Sequence, residues 1–364
     1  MIILDTNVLY CAAGIENSEG VNVELLIDYI KENKCVCTKY SVFEILNSNF
    51  SFDEKMKVLK FIKENNIVLG SSETINKVVY EKLDYRVKDE KYYIKLKKIY
   101  GDNIIDEMTN NIAFFIICYA YTSITVIIDN YQSDVDEKKE YFRKCFVRYQ
   151  KDVDLYIRKK INKEFKKLLS VDSFNVDTIE ELFLKLVSNL MTYYYELMKK
   201  AKILFEGNDV NAYYKLTNIF RKLKNQIIKD DLLDNVDYDI KYLSICKIVI
   251  DYFKTNKASI RLKIGSVKKY LSNKIMNSIY FVDPSMRNEF EFVWTTILVN
   301  SLMVESAKVK PNDFIDYEIL RTLYYDTKYT ILISFDTKVQ KILKGVSSCD
   351  KFQNSIEVLK SLKK

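Results

Sequence analysis

Two short apolar runs at opposite ends of the chain, Ile2-Ile3-Leu4 and Thr330 to Phe335, each stop on an aspartate, Asp5 and Asp336. A run this short and this continuously apolar fits a strand buried on both faces of a parallel sheet. Helical spacings follow the first run. Asn22 can cap a helix that carries Val23, Leu26, Ile27 and Ile30 on one face. Cys35 to Thr38 reads as a second strand, followed by a helix through Ser41, Val42, Glu44, Ile45 and Leu46. Ser51-x-x-Glu54 is a capping box for a further helix with Val58, Phe61 and Ile62 inward, and Ile67 to Leu69 is a third apolar run. Near the other end, Pro311 and Asn312 open a helix with Ile315, Ile319 and Leu323 on one side. Strands alternating with helices at these lengths predict an α/β fold with a parallel sheet.

Between these ends the pattern changes. Only two prolines and seven glycines occur in 364 residues, which favours long helices and few tight turns. Lysine- and tyrosine-rich stretches with helical spacing run from about residue 85 to 304, so three segments are expected: 1–84, 85–304 and 305–364. Charge divides the same way, with net −4 over 1–84, +8 over 85–304 and +3 over 305–364. An acidic segment beside a basic one suggests surfaces with different partners. Ile112 to Ile128 is uncharged over 17 residues, the lower limit for a membrane span. Its tyrosines, threonines and serine favour a buried helix and strand over membrane association. The amino terminus lacks the basic start and long apolar core of a signal peptide. Seven scattered cysteines, none spaced C-x-x-C, fit thiols in a reducing cytoplasm.

The chain contains no histidine. Ser-His-Asp and Cys-His pairs, imidazole acid–base catalysis and imidazole-dependent zinc sites are thereby excluded. Carboxylates remain. In a parallel sheet, functional groups gather at the carboxyl ends of strands, and neighbouring strands lie roughly 4.8 Å apart. Adjacent strands would bring Asp5 and Asp336 to one rim. Asp316 is expected in the first turn of its helix, where the helix dipole favours an ionised acid. Glu44 lies on the helix after the second strand. Acids converging this way repel one another unless a divalent cation sits between them, and oxygen-only ligation suits Mg²⁺ or Mn²⁺. The same strand-then-aspartate signature recurs at Ile127-Ile128-Asp129 and Val249-Ile250-Asp251. Helix capping would equally explain Asp313, a turn Asp5, and a solvated helix face Glu44.

Ile3-Leu4-Asp5-Thr6-Asn7-Val8-Leu9 resembles the opening strand of the PIN-domain nucleases. Ser41 to Leu46 resembles that family's second motif, Asn312 to Leu320 its third, and Ile331 to Asp336 its closing strand. The resemblance implies a PIN-like parallel sheet flanked by helices and interrupted by a long, mostly helical insertion. It implies a metal-dependent endoribonuclease in which Asp5, Glu44, Asp316 and Asp336 hold Mg²⁺ or Mn²⁺. Asp313 would be an additional ligand, and Thr6, Asn7 and Ser334 would support the site. A metal-activated water would attack phosphorus, leaving a 5′-phosphate and a 3′-hydroxyl, with RNA as substrate and an inhibitory protein as a possible partner. The core closes either at Asp336 or earlier, with Asp106 or Glu107 on a helix and Asp129 after Ser123 to Ile128; the carboxyl-terminal pair matches the family better. A catalytically inactive protein of the same fold, binding nucleic acid or a protein, is the competing expectation.

Basic side chains offer a path for nucleic acid. Lys159, Lys163, Lys166 and Lys167 fall on one helical face, with Ile161, Phe165, Leu168 and Leu169 roughly opposite. Arg221, Lys222 and Lys224 form a further cluster, as do Arg261, Lys263, Lys268 and Lys269. Such faces can hold phosphates, although a solvated helix has the same pattern.

Overall fold

The computed structural model describes residues 1–70, 104–108, 110–111, 137–169, 199–201, 203–207, 209–229, 288–302 and 310–363, with isolated positions at 189, 193, 197, 269, 273 and 276. These are mostly helical and contain a small, all-parallel sheet. The elements in order are β1 (Ile2–Leu4), α1 (Thr6–Ala12), α2 (Val23–Glu32), β2 (Cys35–Thr38), α3 (Lys39–Asn47), α4 (Phe52–Glu64) and β3 (Val68–Gly70). They continue with α5 (Glu137–Leu169), α6 (Ala212–Lys229), α7 (Glu289–Leu302), α8 (Pro311–Tyr325), β4 (Ile331–Ile333), α9 (Thr337–Gly345) and α10 (Asp350–Leu362).

The four strands lie in the order β3-β2-β1-β4. Ile2, Ile3 and Leu4 pair with Cys35, Val36 and Cys37 on one side and with Ile331, Leu332 and Ile333 on the other. Both edges of β1 are therefore taken, and the sheet places Asp5 and Asp336 on one rim. Ser123 to Ile128, Asp129 and Asp251 lie outside the described residues. The lack of alternation in these strands has its reason in burial on both faces. Leu4, Cys37, Leu69 and Ile333 join a core with Val8, Leu26, Ile45, Val58 and Ile62, while Ile3 and Val36, pointing the other way, are also buried.

The helix boundaries follow their caps. Asn22 accepts from the Leu25 N–H, and Ser51 and Glu54 form the reciprocal capping box. Thr38 caps α3 by accepting from the Ser41 N–H, so that helix begins directly on the strand's last residue. Leu26 and Ile30 of α2 are buried, as are Ile315, Ile319 and Leu323 of α8. β4 is an edge strand, and α10 protects it: the Ser355 hydroxyl accepts from the Leu332 N–H at 2.9 Å, filling a ladder position that has no neighbouring strand.

The chain divides into two compact units, one of Met1–Met108, Glu164–Ile179 and Asn312–Lys364, the other of Thr109–Lys163 and Glu180–Pro311. The sheet belongs to the first. In the second, α5 and α6 pack through aromatic rings. Phe142 meets Tyr213, Phe146 stacks on Phe220 with centroids 4.4 Å apart, and Lys224 pairs with Asp152 at 2.9 Å. These pairings advance together along both helices, so α5 and α6 run parallel.

Candidate active site

A sheet of order β3-β2-β1-β4 changes winding direction between β1 and β4, and the crevice beyond the carboxyl ends of those strands is where such sheets accept ligands. A cavity of about 350 Å³ lies there. Asp5, Glu44, Asp316 and Asp336 line it, brought together from β1, α3, α8 and β4. Thr6, Asn7 and Tyr10 from α1, Glu16, Ser48, Asn49 and Asn312 complete the wall.

Each acid is positioned by a local rule. Asp5 directly follows β1, where its N–H donates to the Ile333 carbonyl at 3.0 Å, and it serves as N-cap of α1. Its Oδ1 accepts from the Thr6 N–H at 2.8 Å, and its Oδ2 accepts from Ser334 Oγ at 2.5 Å and Asn7 Nδ2 at 3.1 Å. Asn7 Oδ1 accepts from the Phe335 N–H at 3.0 Å, so this one amide ties α1 across to the end of β4. Asp336 is the N-cap of α9; its Oδ1 accepts from the N–H groups of Lys338 and Val339 at 2.6 and 2.9 Å. Glu44 alone among residues Tyr40 to Asn47 is not buried, because the cavity opens at its side of α3. Thr6 Oγ1 donates to its Oε2.

Asp316 differs from the expectation. Helix α8 begins at Pro311, so Asp313 occupies the first turn and Asp316 the second, where the dipole no longer helps its charge. Asp316 makes no hydrogen bond among the described residues. Asp313 is buried and is paired with Lys338, whose backbone N–H holds Asp336. It does not line the cavity, and its carboxylate is paired with Lys338.

Electrostatics follow from crowding. Burial raises the Asp5 carboxyl above its usual range, opposed by the Ser334 and Thr6 hydrogen bonds and reinforced by Asp336. Burial, then the neighbouring Asp5, pushes Glu44 up to about 8. Asp316 is raised well above the ordinary aspartate range by burial, with Asp5, Glu44, Asp336 and Asp313 each adding repulsion. Like charges in a partly desolvated pocket disfavour simultaneous ionisation.

The donors are all hard oxygens, the chemistry that Mg²⁺ and Mn²⁺ prefer. Yet no group of three or more aspartate, glutamate or cysteine side chains among the described residues is arranged to hold a metal ion. Asp5 has both oxygens engaged in hydrogen bonds, and Asp336 and Glu44 each accept from a protein donor.

Sequence reasoning located Thr6, Asn7 and Ser334, all of which contact the acids directly. It missed Tyr10, Glu16, Ser48, Asn49 and Asn312. Tyr10 stands one helical turn after Thr6 and Ser48 one turn after Glu44, so the i, i+4 rule applied to the two acid-bearing segments would have found them. The Asn312 side-chain oxygen is buried without a partner.

Of the basic face on α5, Lys159, Lys163, Lys166 and Lys167 are all exposed. Lys166 pairs with Asp106 at 3.3 Å and Lys167 with Glu164 at 2.9 Å, leaving Lys159 and Lys163 without ion pairs among the described residues. Ile161 is buried opposite them. The cluster at Arg261, Lys263 and Lys268 lies outside the described residues, as does Ile112 to Ile128. No described helix is long and apolar enough to cross a membrane. Compared with protein-family models, curated proteins and solved structures, the chain has no significant match to any of them.

Proposed function

We propose that the chain is a metal-dependent nuclease of PIN-like architecture that hydrolyses phosphodiester bonds in RNA. One observation carries this reading: Asp5, Glu44, Asp316 and Asp336, distant in sequence, line one cavity together with Glu16 at the winding switch of a parallel sheet. Acids whose protons are held up by burial and mutual repulsion form a site that gains when a cation enters. Asp5, Glu44, Asp316 and Asp336 would hold Mg²⁺ or Mn²⁺, which when bound supplies Lewis acidity for water attack on phosphorus and for the departing oxygen. The chain's own residues orient the acids. Ser334 and Asn7 fix Asp5, Thr6 fixes Glu44, and the first turn of α9 fixes Asp336. Lys338 pairs with Asp313, which does not line the cavity. The preference for RNA, like the possible inhibitory protein, rests on the sequence resemblance, and the cytoplasmic setting on the scattered cysteines.

The test is cleavage of labelled single-stranded and structured RNA with Mn²⁺, with chelator and with Asp5→Asn or Asp336→Asn. Cutting should require the ion and fall to background in both variants while their circular dichroism stays unchanged. Activity that persists in both variants refutes the site.

A second reading has its own observation. Asp5, Glu44 and Asp336 already accept hydrogen bonds from protein donors, and no ligating group of three is assembled among the described residues. A catalytically inactive protein that uses the same rim to bind nucleic acid or a protein partner fits that arrangement. Calorimetry with Mn²⁺ separates the two: the nuclease reading requires saturable binding that Asp5→Asn removes.

A further inference from the structure

We infer that the exposed face of the α5–α6 pair is a docking platform for single-stranded nucleic acid. Large apolar side chains exposed on a helix pair need an explanation when they align. On α5, Tyr141 and Leu155 are 49% and 66% exposed; on α6, Tyr214 and Ile228 are 48% and 40% exposed. The two members of each helix are fourteen residues apart, so each pair returns to one face after two heptads with about 40° of drift. The two helices run parallel in matched register, and the Tyr141 and Tyr214 rings meet with centroids 5.7 Å apart. Midway between the apolar levels stand Arg148 on α5 and Arg221 on α6, each seven residues after its tyrosine.

Both arginines are exposed and have no ion pair among the described residues, and the same holds for neighbouring Lys151 and Lys222. The nearby Asp152 is engaged by Lys224. The level thus carries four cations without a facing acid among the described residues, about 10 Å along the helix axis from two adjoining aromatic rings. A third helix packing here would need apolar residues at the middle level, where guanidinium groups stand instead. A polyanion with flat apolar groups matches both levels: bases stack on the tyrosines while phosphates meet the arginines. A duplex matches less well, since along its length the bases are already stacked on one another.

This surface rests on the proposed nuclease reading only for the identity of the strand as substrate. Binding is therefore measured apart from cleavage, on the full chain in chelator, by fluorescence anisotropy with a labelled oligouridylate. Tyr141→Ala with Tyr214→Ala should weaken binding by at least about tenfold. Arg148→Gln with Arg221→Gln should weaken it comparably and flatten the dependence of log affinity on log salt by about 1.4. A blunt duplex should bind more weakly than the single strand. Unchanged affinity in both double variants overturns the inference, as does equal binding of duplex and strand. Loss of self-association on size exclusion with intact oligonucleotide binding would also overturn it, by assigning the face to a second copy. Should cleavage fail while this binding pattern holds, the nuclease reading falls and the platform stands.

Discussion

The acidic rim and the α5–α6 pair hold charge in opposite ways. At the rim, carboxylates face one cavity, and Asp5, Glu44 and Asp336 are restrained there by hydroxyls, one amide and helix N–H groups, so hydrogen bonds hold together groups that repel. Along α5 and α6, Phe146 and Phe220 face inward and stack, while cations point out to solvent. The first arrangement has its geometry fixed by polar contacts and its energy raised by crowding; the second is fixed by packing and carries little electrostatic stress. A region of the first kind responds to pH and to cations. One of the second kind responds to the loss of carbon atoms.

Three perturbations sharpen this contrast, in order of size. Phe146→Ala removes a fully buried ring stacked on Phe220 and should destabilise the helix pair by about 3–5 kcal/mol. Denaturant unfolding followed by circular dichroism measures it, and a loss under about 1 kcal/mol would mean the stacked rings are not the core of that pair. The rim should answer to proton concentration instead. Glu44 is held up to about 8 and Asp316 is raised by the same burial and repulsion, so the folded chain retains protons that the unfolded chain gives up. Stability should then fall as pH rises from the ordinary carboxylate range toward about 8. The urea midpoint in chelator should drop between pH 5 and pH 8, Glu44→Gln should reduce that drop, and millimolar Mn²⁺ should reverse it. A midpoint that rises with pH in that window would contradict the crowding described for the rim. The smallest effect is Ser51→Ala, which opens the capping box of α4 and should cost about 1 kcal/mol by urea denaturation, without altering the pH response.

Legibility in the sequence followed the same division. Caps and strands of the first unit could be read because each depends on neighbours in the chain: Asn22, Ser51 with Glu54, and the Cys35 to Thr38 run stand where expected. Asp5 and Asp336 could be assigned to one rim because a parallel sheet leaves few alternatives for strands that end on an acid. The role of Asp313 could not be read, since its partner Lys338 lies 25 positions away and nothing local announces the pair. Helix α1 went unread for a related reason. A β-branched residue and an asparagine open it, and the cap that starts it is the same Asp5 that ends the strand. On α5, spacing distinguished the buried Ile161 from the exposed lysines, but not the paired lysines from the unpaired ones.

The position of β1 between β2 and β4 also orders events in time. The Met1 carbonyl accepts from the Thr330 N–H, and the Asp5 N–H donates to the Ile333 carbonyl, contacts that span more than three hundred residues of chain. During synthesis, at roughly 5–20 residues per second, β1 would wait tens of seconds with one edge unpaired before its last neighbour is made. The loop between them costs little more in entropy than one a quarter as long, so the delay is kinetic rather than thermodynamic. Asp5 would accordingly meet Asp336 only after nearly all of the intervening chain has been translated, and the rim would remain unassembled on every ribosome-bound fragment that stops short of β4.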